Sequence, residues 1–276
     1  MIEQNFGIES WPDGPGKEGS EAAFERDVRD VLSEVLSSRA GAVLAAALHY
    51  QTTLKKRPIL LMPFDEDTCN AKEVEFPGQP EQPVVLFTPS RMSRCSDRGA
   101  ASLPKEVLFH ELVHAFRHLS GTQKFVLFKN GQLQPWDKQE EFLAVLITDI
   151  FISDATNHHK TALRQHHTSP HETLAPELAD SFRFFSLGTR ALNIIANFCV
   201  DNQGFAKMLA TVPARFNPIA AYFKSADRAF EIAARGDADY VLDTMEPSIG
   251  YIQRPDGVRV RDMAFLNTPG VETHDL

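Results

Sequence analysis

From Ser20 onward, apolar residues recur at every third and fourth position: Phe24, Val28, Val31, Leu32, Val35 and Leu36. That spacing gathers them on one stripe and predicts an amphipathic helix ending near Ser38. Ala42 to His49, rich in alanine and leucine, predicts a second, short helical stretch. The period then changes. Ile59-Leu60-Leu61-Met62 is an apolar run between Pro58 and Pro63 and predicts a buried strand. Val84 to Thr88, bounded by Pro83 and Pro89, predicts a second, and the alternation of Val74 and Phe76 around Glu75 a weaker third. Ser90 to Ala101, with Arg91, Arg94 and Arg98, reads as a loop.

Helical spacing returns at Leu108, Phe109, Leu112, Phe116 and Leu119, which share one arc at about 100° per residue. His110, Glu111 and His114 lie on the opposite side. Ser102 is a candidate N-cap, Pro104 fits the first turn, and Gly121 sits where a helix stop is expected. Residues 122–136 read as a loop or hairpin around Asn130-Gly131. A further helix, apolar nearly all round, begins near Asp137. Residues 154–173 are polar and irregular. Residues 174–236 read as mostly helical, with Leu192, Ile195, Phe198, Phe205, Met208 and Leu209 as core positions.

This pattern divides the chain into a flexible N-terminal segment (1–19, with Pro12, Pro15 and four glycines), a main domain (20–243) and an irregular tail (244–276) rich in proline and glycine. The expected class is α+β: a small twisted sheet packed on the His-Glu helix, followed by a mostly helical C-terminal part.

Charge narrows the partners. The 276 residues carry a net charge of -9, and a nucleic-acid binder needs a basic face. No nucleic-acid partner is expected. The longest apolar run, Phe142 to Ile152, is too short to span a bilayer and contains Asp149, so no membrane span is expected. Met1-Ile2-Glu3-Gln4 has neither a basic n-region nor an apolar h-region. The expectation is a protein cytoplasmic at synthesis, with secretion or injection left to a route without a recognisable signal. Cys69, Cys95 and Cys199 are widely spaced and form no CxxC pair, so neither a cysteine zinc site nor a disulfide scaffold is expected.

The candidate chemistry is His110-Glu111-Leu112-Val113-His114. Two histidines four apart on a helix lie on one face and can supply two positions of a tetrahedral zinc ion. The intervening glutamate can take a proton from the activated water, which makes Glu111 the candidate catalytic base. A catalytic zinc needs a third protein ligand and one open position. Position 120 is Ser120, which excludes a histidine six residues after His114. His118 is in helical phase but about two turns from His110, a poor geometry for convergence. A glutamate on the next helix remains. Asp137 and Glu140 have capping-box spacing, which would occupy Glu140 near solvent. Glu141, followed by small Ala144, is drawn inward and is favoured over Glu140 as third ligand. Asp149 is a candidate acceptor behind a ligand histidine.

These residues resemble the zincins, in the gluzincin branch of HExxH metallopeptidases. More narrowly, they resemble the effector- and toxin-type bacterial metallopeptidases. The similarity is carried by Leu108-Phe109-His110-Glu111-Leu112-Val113-His114-Ala115-Phe116-Arg117, Gly121 and Glu140-Glu141-Phe142-x-Ala144-Val145. Leu163-Arg164-x-His166-His167 and Asn70-Ala71 add to it, and it covers about residues 38–170. It implies Zn2+ held by His110, His114 and Glu141, Glu111 as general base, and an edge strand that binds extended peptide. The expected function is a zinc-dependent endopeptidase acting on a protein or peptide substrate. The rival is a noncatalytic zinc-stabilised binding module on the same fold. An intact Glu111 argues for the enzyme, since a structural site does not need it. His158, His159, His166, His167 and His171 crowd one polar stretch. His166, His167, Tyr222, Tyr240 and Tyr251 are candidate oxyanion donors, none assigned.

Overall fold

The computed structural model describes residues 5–9, 21–64, 70–76, 78–94, 102–129, 131–158, 160–165, 172–225, 251–253 and 259–261. It is α+β, with a small mixed sheet and mostly helical content. The chain forms two compact units, residues 1–175 with 212–216, and residues 176–211 with 217–276.

The first unit runs β1 (Phe6–Ile8), α1 (Glu21–Leu36), α2 (Arg39–Lys55), β2 (Ile59–Met62), β3 (Lys72–Phe76), β4 (Gln79–Leu86), α3 (Pro89–Arg94), α4 (Pro104–Ser120) and α5 (Gln139–Ser153). A 3-10 turn, Gln134–Trp136, precedes α5. The sheet order is β1-β2-β4-β3. β1, β2 and β4 are parallel, and β3 returns antiparallel on β4 as an edge strand among the described residues. Ile59, Leu61, Val84 and Val85 are buried, as apolar runs between prolines demand.

Four elements depart from the sequence reading. β1 lies inside the stretch read as a flexible lead-in. It is three residues long and contains Gly7, too little to give a period. Its support is tertiary: the Asn5 carboxamide oxygen meets His49 Nδ1 at 2.8 Å and accepts from Thr52 Oγ1 at 3.2 Å, both on α2. β3 is a full strand, and β4 starts five residues before Val84 despite Pro80 and Pro83. Pro83 stands opposite Glu75, where no inter-strand N–H is needed. Within the expected loop after Thr88, Pro89–Arg94 is helical, and residues 95–101 lie outside the described residues.

The α1–α2 corner requires a glycine. A Cβ on Gly41 would stand 1.8 Å from the Val35 carbonyl oxygen. Ser38 caps α2 by accepting from Gly41 N at 2.9 Å. The next free donors of that first turn, Arg39 N and Ala40 N, go to Thr156 Oγ1 and Asp154 Oδ2 beyond the end of α5. Opposite ends of the two helices are thereby pinned together.

α4 sits at the centre, packed on α1, α2, α5 and the β3–β4 face. Leu103, one residue after the expected Ser102, is its N-cap. A leucine side chain has no acceptor, so Glu106 reaches back and accepts from Leu103 N at 3.1 Å. Gly121 ends the helix with φ +67°, as expected from the sequence. α5 is buried along its length. Phe109 and Phe151 stack at 4.2 Å, and Trp136 and Phe128 meet Phe142 edge-on. Two helices locked by fully buried aromatics can hold side chains between them in one geometry.

The second unit contains a 3-10 segment (Arg183–Leu187), α6 (Thr189–Asp201), α7 (Gln203–Ala210), a helical segment at 218–225, and the antiparallel pair β5 (Tyr251–Gln253) and β6 (Arg259–Arg261). Leu192, Ile195, Phe198, Phe205 and Leu209 are buried as expected, whereas Met208 is 36% exposed on the outer face of a short helix. Residues 226–236 and most of 244–276 lie outside the described residues.

Candidate metal centre

Helical spacing puts His110 and His114 on the α4 face that meets α5, with Glu111 turned toward β3, and all three are buried. Across from them α5 begins with Glu140 and Glu141, both buried. His110 Nε2 and His114 Nε2 lie 3.1 Å apart. Glu141 Oε2 lies 3.3 Å from each. A tetrahedral zinc with bonds of about 2.0–2.1 Å has ligand–ligand edges of about 3.3–3.4 Å. The three atoms therefore already form one face of such a tetrahedron.

The far side of each ring explains which atoms face inward. His114 Nδ1 is 3.2 Å from Glu140 Oε1, so it carries the proton it donates there. His110 Nδ1 is 3.3 Å from Thr148 Oγ1. That hydroxyl spends its own proton on the Ala144 carbonyl at 2.7 Å, so it accepts from His110. With both rings neutral, as metal ligation requires, each turns its Nε2 lone pair toward a carboxylate oxygen. Three lone pairs on a 3.1–3.3 Å triangle repel unless a cation sits among them.

Two sequence expectations are corrected here. Asp149 does not stand behind a ligand histidine; its carboxylate accepts from Arg164 N at 2.8 Å, and Thr148 takes the expected place. Asp137 and Glu140 form no capping box. Lys138 is the N-cap, and Asp137 has φ +58°. Glu140 is fully buried, between His114 and Arg117, whose Nε lies 2.9 Å from both carboxylate oxygens. The carboxylate between the two Nε2 atoms is nonetheless that of Glu141, whose other oxygen is 3.3 Å from Lys138 Nζ.

The electrostatics favour positive charge at this point. Burial pushes the His110 pKa down to about 3 and keeps its ring neutral. Burial would lower His114 too, but its hydrogen bonds to Glu140 and Glu141 hold it well above the usual range. The carboxylates that favour a proton there favour a metal cation equally. Burial would raise Glu140, and the His114 hydrogen bond and the Arg117 charge bring it below the ordinary carboxylate value.

Glu111 lies between this triangle and the sheet, its charge interacting with His114 and Glu141. Its Oε2 accepts from the backbone N–H of Glu73 on β3 at 2.8 Å. Burial pushes its carboxyl up to about 7, the range in which a carboxylate exchanges protons near neutrality. His118 does not join the triangle. Its Nδ1 is 2.6 Å from Glu73 Oε1 and its Nε2 is 2.7 Å from the Pro80 carbonyl.

Sequence reasoning missed Thr148, Arg117, Glu73 and Arg164. Arg117 carried a signal: a cation three residues after a candidate ligand, in a helix packed on all sides, must find a buried anion. Arg164 lies in irregular chain beyond α5, which carries no periodic signal; burial lowers its pKa, and the charges of Asp149, Glu141 and Glu111 act against that. Of the histidine cluster, His158 gives its carbonyl to Lys105 Nζ. His159, His166, His167, His171 and Tyr240 lie outside the described residues, as does the side chain of Tyr251. Tyr222 is buried in the second unit.

Among the described residues, His110, His114 and Glu141 form a group able to hold a metal ion. Among the described residues, no single helix is long and apolar enough to cross a membrane. The model of one protein family, Peptidase_M91, described as effector protein, matches residues 14–178. No curated protein and no solved structure matches the chain.

Proposed function

This chain belongs to the Peptidase_M91 family of effector proteins, and we propose that it is a zinc-dependent endopeptidase on a zincin-like fold of the gluzincin type. Its target is a protein inside a cell to which it is delivered, as the family's description suggests. One observation carries the zinc assignment: the convergence of His110 Nε2, His114 Nε2 and Glu141 Oε2 at 3.1–3.3 Å. Two nitrogens and one carboxylate oxygen, with a fourth position left to water or substrate, suit a catalytic zinc. Both histidines have their outer nitrogens tied, as ligand histidines do.

Held by His110, His114 and Glu141, a zinc ion would supply Lewis-acid polarisation of the scissile carbonyl and a lowered pKa for the attacking water. Glu111 takes the proton of that water and returns it to the leaving amine nitrogen. A carboxyl raised toward neutrality by burial is suited to both transfers. Glu140 and Thr148 hold the two imidazoles in the tautomer that aims Nε2 inward. The outer edge of β3, apart from the Glu73 N–H that Glu111 holds, gives an extended substrate a backbone to pair with.

The test is a comparison of wild type with Glu111→Gln on a host-cell proteome, with identification of new N-termini. The expected result is discrete cleavage by wild type, loss of about 10²–10⁴-fold or more in the variant, and equal zinc in both. Wild-type-like cleavage by Glu111→Gln excludes Glu111 as the base. Zinc binding without cleavage by either protein favours the noncatalytic binding module.

A further inference from the structure

One side chain of α4, His118, reaches both strands of the β3–β4 hairpin. His118 Nδ1 meets Glu73 Oε1 at 2.6 Å, and His118 Nε2 meets the Pro80 carbonyl at 2.7 Å. Neither a carbonyl nor a carboxylate has a proton to give, so the ring donates from both nitrogens. One contact lands on β3 and the other on β4, on either side of their turn. Gln123 reinforces the first: its Nε2 donates to Glu73 Oε2 at 3.3 Å and to the His114 carbonyl at 3.2 Å.

The consequence lies at the backbone of Glu73. In an antiparallel pair, alternate residues turn their N–H toward the partner strand or away from it. Glu73 N–H is turned away from β4 and donates to Glu111 Oε2 at 2.8 Å. The flanking residues Lys72 and Val74, opposite Leu86 and Val84, therefore face β4. The side chain of Glu73 is held by His118 while its N–H holds Glu111. The same residue connects the clamp to the carboxylate.

We propose that His118 is a positioning residue for Glu111. By gripping Glu73 and Pro80 it fixes the height of β3 over α4, and so fixes the N–H that orients the Glu111 carboxylate. This rests on the peptidase reading, because the carboxylate it orients is the proposed base. His118 holds no metal and touches no reacting atom. The phase that makes it look like a further ligand is the phase that brings it beneath the hairpin.

The experiment uses the full chain loaded with zinc, compared as wild type, His118→Phe and Glu111→Ala. Amide hydrogen exchange at Glu73 reads the clamp without any substrate. The Glu73 amide is expected to exchange at least about tenfold faster in both variants, while Lys72 and Val74 keep wild-type protection. Turnover is measured on a quenched fluorescent peptide spanning a cleavage site mapped from new N-termini. His118→Phe is expected to keep full zinc and lose about 10–100-fold in kcat, with KM within about twofold, because a base is displaced and no substrate contact is lost. Unchanged Glu73 exchange in His118→Phe overturns the proposal, as does a loss confined to KM. Acceleration of all three amides together also overturns it, since it means the whole hairpin has detached. If His118→Phe does not fold, His118→Gln, which keeps one donor, is read in its place with the same outcomes. If the wild type cleaves nothing, the peptidase reading fails, and the exchange measurement still decides the clamp.

Discussion

Glu140 stands behind His114, with its Oε1 3.2 Å from the ring's Nδ1, on the side away from Glu141. Adjacent residues on α5 thus serve the two faces of one imidazole. Glu141 meets Nε2, and Glu140 accepts from Nδ1 and pairs its charge with Arg117. A helix rotates about 100° per residue, and His114 is wide enough to fill the angle between them.

Glu140→Ala is therefore expected to do more than remove a helix cap. It leaves the Arg117 guanidinium, 2% exposed, without its carboxylate. Removing one partner of a buried pair costs about 3–5 kcal/mol. It also releases the His114 tautomer, with a loss of about 10–100-fold in zinc affinity. Urea unfolding and competitive zinc titration measure the two effects separately. A cost of only about 1 kcal/mol with unchanged affinity would return Glu140 to the role of a cap.

Zinc content should be about one per chain, the stoichiometry of a single three-ligand site. His110→Ala, His114→Ala and Glu141→Ala should each reduce it toward zero in elemental analysis. Zinc at 100 times its Kd should stabilise the wild type by about 2.7 kcal/mol, and a chelator should remove that gain. Full zinc in all three variants would exclude the site.

Thr148→Val keeps the shape of the side chain and removes the hydroxyl that accepts from His110 Nδ1 at 3.3 Å. Zinc affinity should fall by about tenfold or more, while the fold is kept. The companion change Asp149→Asn should leave zinc affinity near the wild-type value, because Asp149 faces Arg164 N. The reverse ranking in a zinc titration would restore Asp149 as the residue behind the ligand.

Much of this site was legible because helical phase is a strong signal. His110, Glu111 and His114 share a face by spacing alone, and Gly121 ends their helix where expected. Glu141 was favoured for a reason that was half right. Its small neighbours do admit α4, but Glu140 was set aside as a cap when it is the more deeply buried of the two. Sequence spacing cannot tell a capping pair from a carboxylate drawn inward by an arginine on another helix. β1 and β3 were weak or absent because short strands with glycine or charged residues take their stability from partners, which no local pattern records. Thr148 carries no signal of its own in the sequence. Its role depends on where its proton goes, and that is fixed by the Ala144 carbonyl.

The His118 clamp makes stability depend on pH in a definite direction. Its hydrogen bond to Glu73 raises the His118 pKa against the opposing effect of burial, with further help from the Glu73 charge, the Pro80 carbonyl and the Glu75 charge. A histidine whose folded pKa is raised binds a proton more tightly in the folded state than in the unfolded chain, where it titrates near about 6.5. Its contribution is fully present below that unfolded value and is lost as pH rises through the raised folded value. The ring then keeps one proton for two acceptors, and either Glu73 or the Pro80 carbonyl loses its donor. Wild type should thus exceed His118→Phe in unfolding free energy at about pH 6 by a margin that shrinks at about pH 9. Denaturant unfolding at both pH values, with zinc held in excess, measures that margin. Titration of His110 and His114 is common to both proteins and cancels in the difference. A margin that stays constant with pH would mean that the hairpin is held by the shape of the ring and not by its second proton.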